Sequence, residues 1–175
     1  MDTKKVRKLS HLLGEDYYYM TYLLILCLDQ FSAKKSRLFN DHRKLSYLIH
    51  IISSNSIISI LNENPESHIA NVRDKDLLYA SYTNGTIHAK DVYKLLLTLE
   101  IKGFIELIKT KSPEVLNVKI LKKSIPKEFF DKKVFEEELN NINGLKKSLA
   151  RVSVVGLKTF VDKVYTNKGL RVWVQ

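Results

Sequence analysis

The chain has 175 residues, of which 45% are hydrophobic, and these values suit one domain with a substantial core, or one domain with an appendage. Six glycines and three prolines are too few for a loop-rich β-sandwich or a disordered linker protein, and the single cysteine, Cys27, excludes an internal disulfide. The net charge of +10 favours an acidic partner, with nucleic acid as the first candidate.

The first predicted element is a helix from Asp16 to about Ser32, in which nearly every position is apolar. Its apolar run covers residues 17–28 and ends at Asp29, which is shorter than the roughly 20 residues that a membrane span needs. Acidic residues stand directly before the run, which argues against a signal peptide. We therefore predict a helix buried on several sides, a cytoplasmic protein and no membrane partner.

A second helix is predicted from Asn40 to Leu61. Its apolar residues follow the spacing of one helix face, at Leu45, Leu48, Ile49 and Ile52. Four polar residues, Ser53–Ser56, interrupt this pattern, so we expect a kink or a break there. The polar stretch from Asn62 to Arg73 contains Pro65 and predicts a loop.

The middle of the chain predicts two helices joined by a tight turn. The first is a short helix, Asp74–Tyr82. Thr83-Asn84-Gly85 is interpreted as the turn, because asparagine and glycine tolerate positive φ. The second helix runs from His88 to Lys102 and is ended by Gly103, in the position where a C-terminal glycine belongs.

A hairpin is predicted directly after these helices. Two alternating apolar segments, Phe104–Ile108 and Val115–Leu121, flank a polar loop that contains lysines and Pro113. Helix, turn, helix, glycine and hairpin in this order are typical of a winged helix-turn-helix, with the Asn40–Leu61 helix packed behind it.

The C-terminal part predicts two further helices and a strand. The boundaries are a helix from Pro126 to about Asn141, a break at Asn143-Gly144, a helix from Leu145 to Tyr165 and a strand from Leu170 to Val174 after Gly169. A degenerate second winged unit and a cap on the first one both fit this pattern.

The predicted fold class is mainly α (α+β), a winged helix-turn-helix with flanking helices and a C-terminal extension of two helices and a strand. We divide the chain into an N-terminal helix (1–38), the winged helix-turn-helix (39–125) and the C-terminal helical extension (126–175).

Residue types that perform catalysis do not occur in usable spacings. The five histidines form no HxxxH pair, there is no second cysteine, and no glycine-rich phosphate loop is present. We therefore expect no catalytic residues, no metal site and no cofactor.

Lysines in the helix after the turn and in the hairpin loop are candidates for DNA contact. They are Lys90, Lys94, Lys102, Lys109 and Lys111. That helix has no arginine, asparagine or glutamine, the usual readers of bases, so lysine alone indicates contact with the DNA backbone without sequence preference. A winged unit that docks a protein is the equal alternative.

Most of the basic excess lies in the second half of the chain. Residues 1–100 carry 13 Lys and Arg against 11 Asp and Glu, whereas residues 101–175 carry 16 against 8. The candidates for a second DNA-contacting face are Lys119, Lys122, Lys123, Lys146, Lys147 and Arg151. An ordinary solvated surface explains the same residues.

Two segments resemble a known family. The sequence Asp-His-Arg-Lys-Leu-Ser-Tyr-Leu at residues 41–48, and Tyr93–Leu99 running into Lys-Gly-Phe-Ile at residues 102–105, are similar to the middle components of bacterial ABC-three-component systems, which include the Lamassu antiphage defence systems. The resemblance covers roughly residues 41–121. Members of that family are short winged-helix proteins encoded between an SMC-like ATPase and an effector.

The resemblance implies an accessory subunit without catalytic residues, which bridges or regulates an SMC-like ATPase that senses foreign DNA. The implied partners are the ATPase subunit, an effector subunit and DNA. It also gives the N-terminal helix a role as a docking surface, with Tyr17, Tyr18 and Tyr22 as candidates because tyrosine is enriched at interfaces. Core packing explains these tyrosines equally well.

A free-standing regulator of transcription or plasmid replication is the alternative function. It would be a homodimer that binds a palindromic site tightly. The lack of base-reading side chains in the second helix favours the accessory subunit.

Overall fold

Apolar residues at helical spacing dominate the chain, and most of it forms helix in the computed structural model, which describes residues 17–32, 36–64, 68–130 and 133–174. A small antiparallel sheet completes the mainly helical α+β architecture. The α-helices are α1 (Tyr17–Phe31), α2 (Lys44–Ile52), α3 (Asn55–Glu63), α4 (Val72–Ile87), α5 (Ala89–Ile101), α6 (Glu136–Ser148) and α7 (Leu157–Val164). Single 3-10 turns cover Lys122–Ser124, Lys127–Phe130 and Thr166–Lys168.

The sheet has three strands in the order β1-β3-β2. They are β1 (Leu38–Phe39), β2 (Ile105–Lys109) and β3 (Leu116–Ile120). The β2–β3 hairpin confirms the prediction made from the two alternating segments, with Ile105 opposite Ile120. The third strand, β1, pairs antiparallel with β3 and was not predicted, because two residues are too few for a recognisable pattern.

The first two predicted helices form, and the expected break is present. The break lies at residues 53–54, where α2 and α3 meet at a bend of 100°. Ser54 is the N-cap of α3, since its side chain accepts a hydrogen bond from the Ile57 amide. Among the described residues, no single helix has the length and hydropathy of a membrane span, and only the bent α2–α3 pair passes that test by length and composition.

The turn predicted at Thr83-Asn84-Gly85 is wrong, because α4 continues through these residues to Ile87 and the chain bends at His88 instead. Gly85 serves a close approach between helices. A Cβ atom at this position would lie 2.4 Å from Cδ1 of Tyr47, so glycine is what allows α4 to pack against α2. Gly103 does end α5 as predicted, with a φ of 72°.

Four predictions in the C-terminal part are wrong. No α-helix begins at Pro126; a 3-10 turn over Lys127–Phe130 follows it, and α6 begins only at Glu136. Helix α6 then passes through Asn143-Gly144 without a break. The predicted helix Leu145–Tyr165 is interrupted between α6 and α7, and Leu170–Val174 lies in no strand.

Tertiary contacts explain these differences. Gly144 again allows a close approach, since a Cβ atom there would lie 2.8 Å from Cγ2 of Ile58. Asn141 donates from Nδ2 to the Ile52 carbonyl at 2.9 Å, which fixes α6 against the end of α2. One hydrophobic cluster contains residues from all three sequence segments, so the C-terminal extension packs on the same core as the rest.

The interruption between α6 and α7 is organised by a buried lysine. Lys44 has no exposed surface, and its ammonium group donates to the Val152 carbonyl at 2.5 Å and to the Val155 carbonyl. Both carbonyls therefore accept a hydrogen bond from a side chain that lies more than 100 residues earlier in the chain. Burial lowers the pKa of Lys44 to about 8, although the nearby Asp41 carboxylate opposes the shift.

Asp41 fastens the same region from the other side. Its Oδ2 accepts a hydrogen bond from the Leu157 amide at 2.9 Å, at the first turn of α7, where a carboxylate is favoured by the helix dipole. Burial alone would raise the pKa of Asp41, but hydrogen bonds from Arg43 and Leu157 outweigh it and the pKa is lowered. Residues 41–44 therefore tie the start of α2 to the start of α7.

Gly85→Ala is expected to destabilise the protein by about 1–3 kcal/mol, because the new methyl group overlaps the Tyr47 ring. In an unobstructed helix the same change stabilises by about 1 kcal/mol, so the sign of the effect tests the close approach. Urea unfolding measures it. Gly156→Ala is the control for free space: apart from its chain neighbours, nothing lies within 4 Å of its Cβ position. Because Gly156 is the N-cap of α7, where alanine is less favourable than glycine, a loss of about 1 kcal/mol or less is expected. A stabilised Gly85→Ala variant would contradict the packing of α4 on α2.

Candidate macromolecule-binding surfaces

A groove of about 680 Å³ separates α5 from the tip of the β2–β3 hairpin. The α5 side is lined by Tyr93, Leu97 and Glu100, and the hairpin side by residues 109–114. His42, which follows β1, and Leu116 also line it. We call this region the α5–hairpin groove.

Hydrogen bonds hold the two walls of the groove in place. Glu100 accepts from the Leu107 amide at 2.7 Å, which fixes β2 to the last turns of α5. The hairpin loop is closed by Thr110, whose hydroxyl lies 2.9 Å from the Val115 carbonyl oxygen. The groove is therefore preformed within the fold, as binding sites usually are.

The solvent-facing side of α5 carries apolar residues one turn apart. They are Tyr93, Leu97 and Ile101, which we call the apolar stripe. Their exposed fractions are 40%, 37% and 87%, whereas Val92, Leu96 and Leu99 form the buried face of the same helix. Sequence reasoning missed this stripe, although Leu97 and Ile101 fall outside the buried spacing and that offset was the available signal.

The lysines predicted on this surface are exposed, but their charge is nearly balanced. Residues 89–115 contain five lysines and four acidic residues. Lys94 pairs with Asp91 at 3.4 Å on the same helix. The other predicted members, at Lys90, Lys102, Lys109 and Lys111, are exposed. The basic excess of the chain therefore lies elsewhere.

One lysine from each of two distant Lys-Lys pairs contacts the C-terminal end of α1. Lys122 Nζ lies 2.5 Å from Asp29 Oδ1, and Lys146 donates to Gln30 Oε1 at 3.2 Å. Lys123 and Lys147 are the exposed neighbours of these two residues in sequence. A helix C-terminus favours cations, because its last carbonyls carry partial negative charge. We call the four lysines the basic end of α1.

The remaining members of the predicted basic face are placed differently. Lys119, on β3, pairs with Glu106 at 3.1 Å. Arg151 is exposed in the turn between α6 and α7. Among the described residues, neither side chain shares a hydrogen-bond or ion-pair partner with the four lysines of the basic end of α1. Sequence analysis did not identify Arg37 as a member of this region. Arg37 is exposed, and its carbonyl accepts a hydrogen bond from the amide of Ile120. Ile120 lies two residues before Lys122 in the sequence.

The tyrosines of α1 divide into two groups. Tyr22 stacks on Phe129 with ring centroids 4.2 Å apart and lies 5.0 Å from Phe135, so its ring is used in packing. Tyr17 and Tyr18 are exposed, at 46% and 82%. For these two residues a role at an interface stays a prediction.

Two histidines meet at the joint between α4 and α5. His50 Nε2 and His88 Nδ1 are 2.9 Å apart, and the rings are stacked at 5.0 Å. His88 is the single residue that separates the two helices. Burial, together with the proximity of His88, lowers the pKa of His50 to about 4. His50 is therefore neutral near pH 7.

Chemically reactive groups are few among the described residues. No cluster of three or more His, Cys, Asp or Glu side chains is placed to hold a metal ion in that part of the chain. Cys27 is fully buried, and burial raises the pKa of its thiol, which disfavours the reactive thiolate.

Comparison of the chain with known proteins found no match. No family model matches the chain. No curated protein and no solved structure matches it.

The histidine pair predicts a loss of stability in mild acid. Because the pKa of His50 in the folded protein lies below its ordinary value of 6.5, the unfolded chain takes up the proton first. The contribution is complete above pH 6.5 and declines toward pH 4, with about 2 kcal/mol lost by pH 5. Urea unfolding between pH 8 and pH 5 measures this loss.

His50→Gln retains a hydrogen-bonding amide but does not titrate, so it should remove most of the dependence of stability on pH. A remainder is expected from His42, since burial also lowers the pKa of that residue. His68→Gln, the same substitution at an exposed histidine, is the control. An undiminished loss in His50→Gln would show that this pair is not its source.

Proposed function

We propose that this chain is a non-enzymatic accessory subunit built on a winged helix-turn-helix. In this proposal the α5–hairpin groove docks a protein partner, and the basic end of α1 contacts the DNA backbone without sequence preference. The main observation in favour of this proposal is the apolar stripe of α5. A helix that reads DNA bases presents arginine, asparagine or glutamine at such positions, whereas exposed tyrosine and aliphatic residues are typical of protein interfaces.

The order of elements supports the winged-helix part of the proposal. Helices α4 and α5 are joined at His88, α5 ends at Gly103, and the β2–β3 hairpin follows directly. Strand β1 covers the free edge of β3, giving the three-stranded sheet β1-β3-β2. Helix α2 packs against α4, which suits the supporting helix of such a unit.

The separation of the two surfaces supports a bridging role. The groove lies at the tip of the hairpin, and Lys122 follows β3 at its base. Each strand has five residues, which corresponds to about 16 Å at roughly 3.3 Å per residue. A protein partner at one end therefore leaves the other end open to nucleic acid.

The class of partner rests on the resemblance of residues 41–121 to the middle components of ABC-three-component defence systems. It suggests an SMC-like ATPase as the docked protein, with an effector as the third component of a DNA-sensing complex. In this chain Asp41 and Lys44, which belong to the resembling segment, brace the start of α7. Their role is structural, so the resemblance supports a common framework, and the ATPase partner has to be tested directly.

Affinity purification of the tagged chain from its native host tests this function. We expect a large ATPase to co-purify with the wild-type chain and to be lost with Leu97→Asp, because a carboxylate in the stripe opposes apolar contact. Val154→Asp, at another exposed apolar position, should retain the partner. Recovery of the chain alone, as a homodimer bound to one palindromic site, would establish the free-standing regulator instead.

Charge reversal at the basic end of α1 should weaken DNA binding. Lys123→Glu with Lys147→Glu is the suitable variant, since Lys122 and Lys146 have contacts with α1 that the fold uses. A reduction of about tenfold or more at low salt is expected, together with a shallower salt dependence, because phosphate contacts release counterions.

Gel-shift titration at several salt concentrations measures this effect. Lys158→Glu with Lys163→Glu changes the charge equally on the exposed side of α7 and should have a smaller effect. Equal losses in the two double variants would mean that net charge alone governs binding, and that the basic end of α1 is not a DNA surface.

A further inference from the structure

The charges around the apolar stripe are unequally matched within the protein. Two of the four nearby acidic residues are paired, Asp91 with Lys94 and Glu106 with Lys119. Glu100 accepts from the Leu107 amide but keeps its charge, and Glu114 has no ion-pair partner among the described residues. Lys90, Lys102, Lys109 and Lys111 have none there either. Four unpaired lysines outnumber the two unpaired carboxylates, so the charge left for a ligand at this surface is mainly positive.

The unmatched lysines lie at one end of the stripe and across the groove from it. Lys90 is on α5, three residues before Tyr93, and so lies on the face of the stripe at its N-terminal end. Lys109 and Lys111 line the opposite wall of the groove, on the hairpin. A ligand that covers the stripe therefore meets Lys90 at one end and two further ammonium groups on the hairpin side.

His42 adds a hydrogen-bond donor to the groove. Its Nδ1 accepts from the Leu116 amide at 3.2 Å, so the proton of the neutral ring is on Nε2. The ring lies 5.6 Å from that of Tyr93, at the foot of the stripe. Because the ring is a neutral donor, a hydrogen-bond acceptor such as a carboxylate suits this position better than a cationic group does.

We infer that the α5–hairpin groove binds an acidic amphipathic helix of the protein partner, which rests on the function proposed above. Its apolar residues, spaced i, i+4 and i+7 or i+8, cover Tyr93, Leu97 and Ile101, and its carboxylates meet Lys90, Lys109 and Lys111. The stripe spans nine residues, or about 12 Å of helix, so two to three turns of the partner cover it.

Charge distinguishes this ligand from the two other occupants of the groove. A second copy of the chain would bring a groove with the same unmatched lysines, so like charges would meet. DNA would satisfy the lysines but would leave the apolar stripe against phosphates, without a favourable contact. Only an acidic apolar segment satisfies both features.

Site-specific photocrosslinking in the native host tests the inference on the full chain. A benzoylphenylalanine residue replaces Leu97, and mass spectrometry identifies the crosslinked peptide, with Val154 as the control position. The expected result is a helical segment of another protein, with net negative charge and apolar residues at helical spacing. Crosslinks to a second copy of this chain, to nucleic acid, or to a neutral or basic segment would overturn the inference.

Charge exchange then tests the ionic contacts. Lys109→Glu with Lys111→Glu should lower the affinity for the crosslinked peptide at least tenfold, and lysines in place of its acidic residues should restore it. Lys158→Glu with Lys163→Glu is the control and should bind as the wild type does.

The two proposals fail separately. If an ATPase co-purifies but the crosslinked segment is not acidic, the accessory function stands and the acidic helix is wrong. If an acidic helix of a different protein crosslinks, the ligand class stands and the ATPase partner is wrong.

Discussion

The burial of one ammonium group, on Lys44, constrains much of this fold. A charged amine without water needs acceptors, since an unpaired charge in the interior costs several kcal/mol. Two main-chain carbonyls, at Val152 and Val155, supply them. Both carbonyls lie in the turn between α6 and α7, so the lysine fastens this turn to the start of α2. The start of α7 is in turn held by Asp41, three residues before the lysine.

The binding groove depends on the same segment. The Asp41 amide donates to Asn117 Oδ1 at 3.0 Å, and the His42 amide donates to the Leu116 carbonyl at 2.9 Å. These bonds set the hairpin against the start of α2 and place His42 in the groove. Main-chain amides at residues 41 and 42 thus fix the hairpin wall of the groove against the start of α2.

Local patterns predicted the elements whose signal is local. Helix α1, the break before Ser54, the glycine stop after α5 and the hairpin all followed from spacing and turn chemistry. Gly85 and Gly144 were misread as turns because a glycine that admits a neighbouring helix is identical in sequence to one that reverses the chain. The partner atoms, on Tyr47 and Ile58, are 38 and 86 positions away.

The sites were predicted in part, for a similar reason. The lysines of the hairpin loop could be found from the sequence, because exposure follows from a polar loop. Nothing local marks Lys44 or Lys168 as buried, since both lie among residues that suit a surface. The convergence of Lys122 and Lys146 on neighbouring residues of α1 also depends on tertiary packing.

The carbonyl contacts of the two buried lysines have a consequence for biosynthesis. Lys44 bonds to a carbonyl 108 residues later in the chain, and Lys168 donates to the carbonyl of Asn64, 104 residues earlier. Neither amine can lose its water until its carbonyl partner has also been synthesised, so the core cannot close before residues 152–168 have emerged from the ribosome. Until these contacts form, the apolar surfaces of the helices synthesised earlier are exposed to water. A shortened message that stops before α7 would therefore yield an open chain with an exposed core.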